Sequence, residues 1–169
     1  MAEKLSLRDY QRDLAERLRA AQSSRVSSLL ALQAGAEGWL VDLKEAGEVV
    51  PVPPIAPVPL TQPWFRGVAN IRGNLYSVVD FPAFLGGAPS VPSEQARLLL
   101  IGERFRLGSA LLVDRSLGLR KPEQLKQKAP QEGAAPWIRA EYIDEEGRSW
   151  KELDLGALAQ HPEFLTVSA

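Results

Sequence analysis

GVANIRGNLYSVVDF, residues 67–81, decides the fold. Gly73-Asn74 supplies two residues that tolerate positive φ, as a tight hairpin turn requires, and Leu75–Phe81 follows as a strand. Working outward, Phe84-Leu85-Gly86 reads as a helical turn stopped by glycine. Leu98–Gly102 and Arg106–Asp114 form a second hairpin. The later strand is apolar on both faces, with Leu107, Leu111 and Val113 opposite Ala110 and Leu112, which suits a barrel core on one side and another lobe on the other. Trp137–Ile143 and Ser149–Leu153 make a third hairpin that turns at Glu145-Glu146-Gly147, before a closing helix at Leu155–Ala159. Ser28–Gln33 and Trp39–Leu43 add two strands around the turn Ala34–Gly38. Roughly eight to ten short strands with Gly/Pro punctuation and few helices predict an all-β fold.

Four segments stand outside this pattern. Residues 5–22 carry Leu7, Tyr10, Leu14 and Leu18 at helical spacing, with Ser6 and Asp9 as a weakened capping box. They predict a helix within an N-terminal extension, residues 1–26, whose apolar stripe docks on the body of the protein. Val49–Pro63 holds Pro51, Pro53, Pro54, Pro57, Pro59 and Pro63, none of which donates a backbone hydrogen bond. It must be an edge strand or an extended loop. Gly87–Ser93 reads as a linker, with a boundary between two lobes near 87–97 inside a domain spanning 27–165. Leu119–Pro136, polar and bearing Lys121, Lys126 and Lys128, reads as a mobile loop.

Composition narrows function more than it names it. The 169 residues carry 20 Lys and Arg against 21 Asp and Glu, a formal net charge of −1, without the basic excess typical of nucleic-acid binders. A small β-barrel nucleic-acid module is the rival class, and a salt-sensitive mobility shift would revive it. There is no cysteine, and the one histidine, His161, reads as a surface residue at the end of the last element. Thiolate chemistry and multi-His metal sites are therefore excluded. No phosphate loop and no G-x-S-x-G elbow occurs, so no enzyme and no cofactor are expected. Asp144-Glu145-Glu146 reads as a solvated turn. The N-terminus lacks an apolar signal core and no apolar run is long enough to span a bilayer, so the expected location is the cytoplasm.

Trp64-Phe65-Arg66-Gly67-Val68-Ala69-Asn70-Ile71-Arg72-Gly73, followed by Val78-Val79-Asp80-Phe81, resembles the signature of the CheW-like family of chemotaxis adaptors. That signature is an aromatic-containing turn, a G-V-x-N-[LI]-R-G hairpin and a strand ending V-x-D-[LF]. The resemblance extends from about residue 28 to 165, with the acidic Glu48 ahead of the hairpin. Val49–Pro54, the Trp64–Gly67 turn and Phe84-Leu85-Gly86 look most like the type IV pilus (twitching motility) branch. It implies two five-stranded β-barrels with a hydrophobic groove between them. It also implies two partners, the signalling tip of a methyl-accepting chemoreceptor and the regulatory domain of a CheA-type histidine kinase, with no catalysis, cofactor or membrane insertion.

The candidate partner-binding residues follow from position. Arg72 projects from a hairpin end and is expected to make a bidentate pair with a carboxylate, on a partner or within the lobe; a solvated rim charge is the bland alternative. Asn70 is expected to hydrogen-bond nearby backbone, while Glu48 precedes the edge formed by Val49, Val50 and Ile55, read as an exposed apolar strip for a receptor hairpin. Trp64 and Phe65 serve either core or interface, whereas Trp39 and Trp150, each on a strand, are core. Gly67 and Gly73 are backbone requirements.

Overall fold

The computed structural model describes residues 11–17, 28–129 and 131–169. Residues 11–17 form helix α1, all of it exposed, and Leu14 is 45% exposed. The described part of the N-terminal stripe is thus not docked as expected; Ser6, Leu7, Asp9, Tyr10 and Leu18 lie outside the described residues.

Two six-stranded sheets account for the body. One, lobe A, contains β1 (Leu29–Ala34), β2 (Glu37–Asp42), β9 (Arg115–Arg120), β10 (Leu125–Lys128), β11 (Ile138–Asp144) and β12 (Ser149–Leu153), in the order β10-β11-β12-β2-β1-β9. The other, lobe B, contains β3 (Ala46–Pro51), β4 (Ile55–Ala56), β5 (Phe65–Ile71), β6 (Asn74–Asp80), β7 (Arg97–Ile101) and β8 (Ser109–Val113), in the order β3-β7-β8-β6-β5-β4. Helix α2 (Phe81–Phe84) follows β6, and α3 (Leu155–Gln160) and α4 (Pro162–Leu165) follow β12. The all-β, two-lobed reading holds, but the sheets are not closed barrels. In lobe B the edge strands β3 and β4 are separated by residues 52–54 alone, a reach of at most ~14 Å. The sheet must therefore curl until its edges nearly meet. Pro51, Pro53 and Pro54 carry no N–H with which to close the ladder. In lobe A, residues 121–124 likewise separate the edge strands β9 and β10.

Strand alternation sorts the side chains into three cores. Val78, Leu98, Leu100, Ala110 and Leu112 fill lobe B. Leu29, Ala31, Leu40, Leu125 and Trp150 fill lobe A. The intervening residues, among them Leu30, Leu32, Trp39, Val41, Val79, Leu99, Leu111 and Val113, form a third core between the lobes. There Trp39 meets Phe81 edge-on at 5.0 Å, a contact worth ~0.5–1.5 kcal/mol beyond its buried area. Every residue of β8 is buried, as its two-faced apolar sequence predicts. Trp39 and Trp150 are core, each 1% exposed.

Three expectations are corrected. The expected lobe boundary at 87–97 falls inside lobe B; the chain changes lobe at residues 43–45 and again at Asp114, so lobe B is inserted into lobe A. The 119–136 segment is not simply a loop. It holds the end of β9, a 3₁₀ turn at Pro122–Gln124 and β10, which pairs with β11 and buries Leu125. His161 is half-buried against Trp137, ring centroids 4.9 Å apart, and its Nδ1 accepts from Glu163 N at the start of α4.

Candidate partner-binding surface

Ile71 pairs with Asn74, so the β5–β6 turn consists of Arg72 and Gly73, one residue earlier than the sequence suggested. Both have positive φ, 53° and 86°, the backbone of a type I′ turn. Arg72 adopts this conformation at a cost of ~1–2 kcal/mol for a residue with a Cβ. The Asn70 side chain offsets part of that cost, its Oδ1 accepting from Gly73 N at 2.9 Å.

The Arg72 guanidinium meets Glu48 in a two-point pair, Nη1 to Oε2 at 2.7 Å and Nη2 to Oε1 at 2.5 Å. Of the alternatives weighed for Arg72, the structure places its carboxylate within the lobe. Glu48 lies on edge strand β3, and Arg72 lies where β5, which borders the opposite edge strand β4, turns into β6. The pair therefore laces the seam that proline leaves unladdered. Both side chains stay exposed, at 71% and 43%, so solvent screens the attraction. The hydrogen bond from Arg72 holds the Glu48 carboxyl below its ordinary range.

The other predicted residues separate. Val50, only 7% exposed, points into the lobe B core, because the inner face of an edge strand still lines a curled sheet; it cannot be the exposed strip expected of it. Val49 is half-buried against the inter-lobe core. Ile55 is half-buried against the lobe B core. Phe65 packs on the inter-lobe core, and Trp64 meets Phe84 edge-on at 5.1 Å, in a cluster continued by Trp137 and Phe164. The exposed apolar residues of the described chain include Val52 at 36%, Leu60 at 86%, Leu75 at 69% and Val91 at 75%, none of them among those predicted.

Val52, Ile55, Val91, Pro92, Ala96 and Leu112 line a groove of about 470 Å³ at the lobe B seam, beside Arg66 and Ser90. A polar chain braces its wall. Asp80, fully buried, receives Arg66 Nε at 2.8 Å, Ser90 N at 2.9 Å and Ala83 N at 3.1 Å. Arg66 Nη2 also donates to Ser90 O at 2.6 Å, and Ser90 Oγ donates to Asp114 Oδ1 at 3.0 Å. Asp114, the single residue between β8 and β9, accepts from Gly35 N at 2.6 Å, which joins the groove wall to the β1–β2 turn of the other lobe.

One signal was present in the sequence and missed. Pro63-Trp64-Phe65-Arg66 recurs as Pro136-Trp137-Ile138-Arg139, and Asp80-Phe81-Pro82-Ala83 as Asp154-Leu155-Gly156-Ala157. The structure makes these two copies of one hairpin-and-helix unit. In each, the register shifts around the arginine, between Phe65 and Gly67 and between Ile138 and Ala140. Such a bulge re-aims a side chain. In each, the aspartate N–H donates to the tryptophan carbonyl, Asp80 to Trp64 at 2.8 Å and Asp154 to Trp137 at 2.7 Å. The aspartate then caps the helix and pairs with the arginine, Arg66–Asp80 at 2.7 Å and Arg139–Asp154 at 3.3 Å. The copies differ in what else reaches the arginine. Arg139 also pairs with Glu45 and Glu152. Burial alone would lower the Arg139 pKa, but the Glu45 hydrogen bond and the surrounding carboxylates outweigh it and hold the pKa above its ordinary value.

Asp144 organises the β11–β12 turn, accepting from Glu146 N, Arg148 N and Trp150 Nε1, while Glu145 and Glu146 remain exposed. Among the described residues, no group of three or more His, Cys, Asp and Glu is placed to hold a metal ion, and no helix is long and apolar enough to cross a membrane.

The model of the CheW-like domain matches residues 28–163. Protein PilI of Pseudomonas aeruginosa is 32% identical over 162 residues, 93% of this chain and 89% of that protein. The solved structure of the scaffolding protein TtCheW from Thermoanaerobacter tengcongensis superposes with a TM-score of 0.63, covering 75% of this chain and 88% of that one at 16% identity, and so shows the same fold. A signature hairpin, two curled sheets sharing an inter-lobe core and a family match spanning both lobes lead to one statement: the chain belongs to the CheW-like domain family.

Proposed function

We propose that this protein is a non-enzymatic cytoplasmic adaptor. It couples the signalling tip of a methyl-accepting chemoreceptor to the regulatory domain of a CheA-type histidine kinase, in a chemosensory pathway that controls type IV pili. The observation that carries the reading is the apolar groove at the lobe B seam, with Val52 and Val91 open to solvent on a wall braced by buried hydrogen bonds. Exposed apolar surface on a rigid frame is the usual mark of a docking site. The family match supports the adaptor role, and the PilI likeness supports the pilus branch. In this reading the receptor tip lays an apolar ridge against Val52, Ile55 and Val91. The kinase domain takes the β5–β6 hairpin end, where Arg72, Asn70 and Leu75 project and Glu48 fixes Arg72 in place. Val49, Val50, Trp64 and Phe65 hold these surfaces from beneath.

The test is kinase autophosphorylation in receptor-containing vesicles with and without the chain. Receptor control of the kinase should require the chain and be lost in Val91→Glu, whose site is 75% exposed. Receptor control that persists without the chain would refute the proposal.

A further inference from the structure

The two hairpin-and-helix copies are chemically unequal at one place. In lobe A, Glu45, carried on the connection where the chain passes between lobes, brings its carboxylate to Arg139, and its second oxygen accepts from Leu155 N at the start of α3, at 3.2 Å. That bulged arginine therefore serves three carboxylates, Asp154, Glu152 and Glu45. In lobe B the corresponding Arg66 has one, Asp80, and the place of Glu45 is taken only by the neutral carbonyl of Ser90. Arg66 Nη1 has no acceptor among the described residues, the side chain is 34% exposed, and it lies beside the apolar groove.

We propose that this groove brings Arg66 a further carboxylate of the kind that Arg139 already has within its own lobe: it binds a carboxylate carried next to an apolar side chain on a protein partner, the carboxylate seated on Arg66 Nη1 and the apolar group against Ile55, Val91 and Leu112. The inference rests on the adaptor reading for the source of that segment, a Glu or Asp beside a Leu, Ile or Val, but not for the chemistry of the site. Arg139 shows that a bulged arginine in this unit donates to carboxylates beyond its own aspartate. Asp80 and Ser90 engage Nε and Nη2 of Arg66, which leaves Nη1 to make a further charge-assisted hydrogen bond to a carboxylate. The groove volume lies within the usual range of ligand sites. Glu94, exposed on the rim, is the acidic residue among those lining the groove, and its charge adds to that of Asp80 in opposing such a ligand. Removing it should tighten binding. Arg66 itself is a poor target for substitution, because its loss would strand the buried Asp80 carboxylate.

The probe is hexanoate, an apolar tail with a carboxylate, titrated into the full ¹⁵N-labelled chain with hexanol as the uncharged control. Hexanoate should shift the amides of Ser90, Val91, Ser93 and Ala96 and saturate, while hexanol at equal concentration should not. Glu94→Gln, a surface change, should tighten hexanoate binding about threefold. Equal responses to acid and alcohol, or none in the groove, would overturn the proposal. Displacement of hexanoate by a receptor-tip fragment separates the two readings. Hexanoate bound but displaced by neither the receptor nor the kinase fragment would leave the carboxylate site standing and remove the groove from the adaptor mechanism. A receptor tip that binds, is blocked by Val91→Glu and is indifferent to Glu94→Gln would do the reverse.

Discussion

Gly67→Ala probes the tightest point of lobe B. At φ +132° the backbone is in a region that residues with a Cβ rarely enter, at a cost of ~1–3 kcal/mol. A Cβ there would also lie 2.0 Å from Ala56 O and 2.9 Å from Pro57 Cα, both backbone atoms of β4 or the residue after it. Nothing flexible can yield, so β4 must move. That would break its pairing of Ile55 with Ala69 and Ala56 with Val68 and loosen Ile55 from the lobe core. Each lost hydrogen bond is worth ~1 kcal/mol and the partial re-exposure of Ile55 another ~1 kcal/mol. The expected destabilisation is about 3–5 kcal/mol, a fall of about 10–15 °C in Tm. The control is Gly73→Ala, where φ is +86° but nothing lies within 4 Å of the new Cβ, so only backbone cost applies, about 1–2 kcal/mol. Urea unfolding followed by tryptophan fluorescence compares the two variants. Destabilisations within about 0.5 kcal/mol of each other would show that contact with β4 is not what requires the glycine.

Other perturbations follow from the same geometry. Val50→Glu buries a charge in the lobe B core and should cost about 3 kcal/mol or more in urea unfolding; a variant as stable as the wild type would place Val50 outside that core. Arg72→Ala should leave the urea midpoint unchanged within error, since both members of the pair are exposed, yet raise amide exchange along β3. Because the Glu48 pKa is depressed, any contribution of the pair is present at neutral pH and lost as pH falls through and below the ordinary glutamate range, so the wild type and Arg72→Ala should exchange alike at low pH. Burial, together with a hydrogen bond to Glu152, pushes the Tyr142 phenol up to about 12. Tyrosinate absorbance should show a step near that pH which Tyr142→Phe removes. A raised pKa means that its contribution to stability is present below about pH 10 and lost as pH rises toward 12. A single tyrosine transition near 10 would contradict this.

What the sequence revealed and what it hid follow from the physics of short strands. The hairpin at 67–81 was legible from its turn residues, and the run at 109–113 because burial on both faces of a strand leaves a mostly apolar sequence. Strand β10, Leu-Lys-Gln-Lys, hid because an edge strand needs only one buried side chain, Leu125, and its polar face mimics a loop. The lobe boundary was misplaced because lobe A is discontinuous, and composition follows chain order rather than hydrogen bonding across it. Val50 was misread because proline density correctly marked an edge but carried no information on which face the edge turns inward. The proposed partner surface draws on residues of two kinds. Arg72 and Asn70 follow from the hairpin, whereas the groove is assembled from residues 52–55, 90–96 and 112, which only the curl of the sheet brings together. The duplicated Pro-Trp-Φ-Arg units escaped notice because the segments between arginine and aspartate have diverged, GVANIRGNLYSVV against AEYIDEEGRSWKEL.

The most direct test of the adaptor account is sedimentation velocity on three purified components: this chain, the receptor signalling tip and the regulatory domain of the kinase. The account expects a ternary species larger than either binary complex, with each fragment binding no more weakly in the presence of the other. Two binary complexes that exclude one another, or a chain that sediments alone with both fragments present, would contradict it.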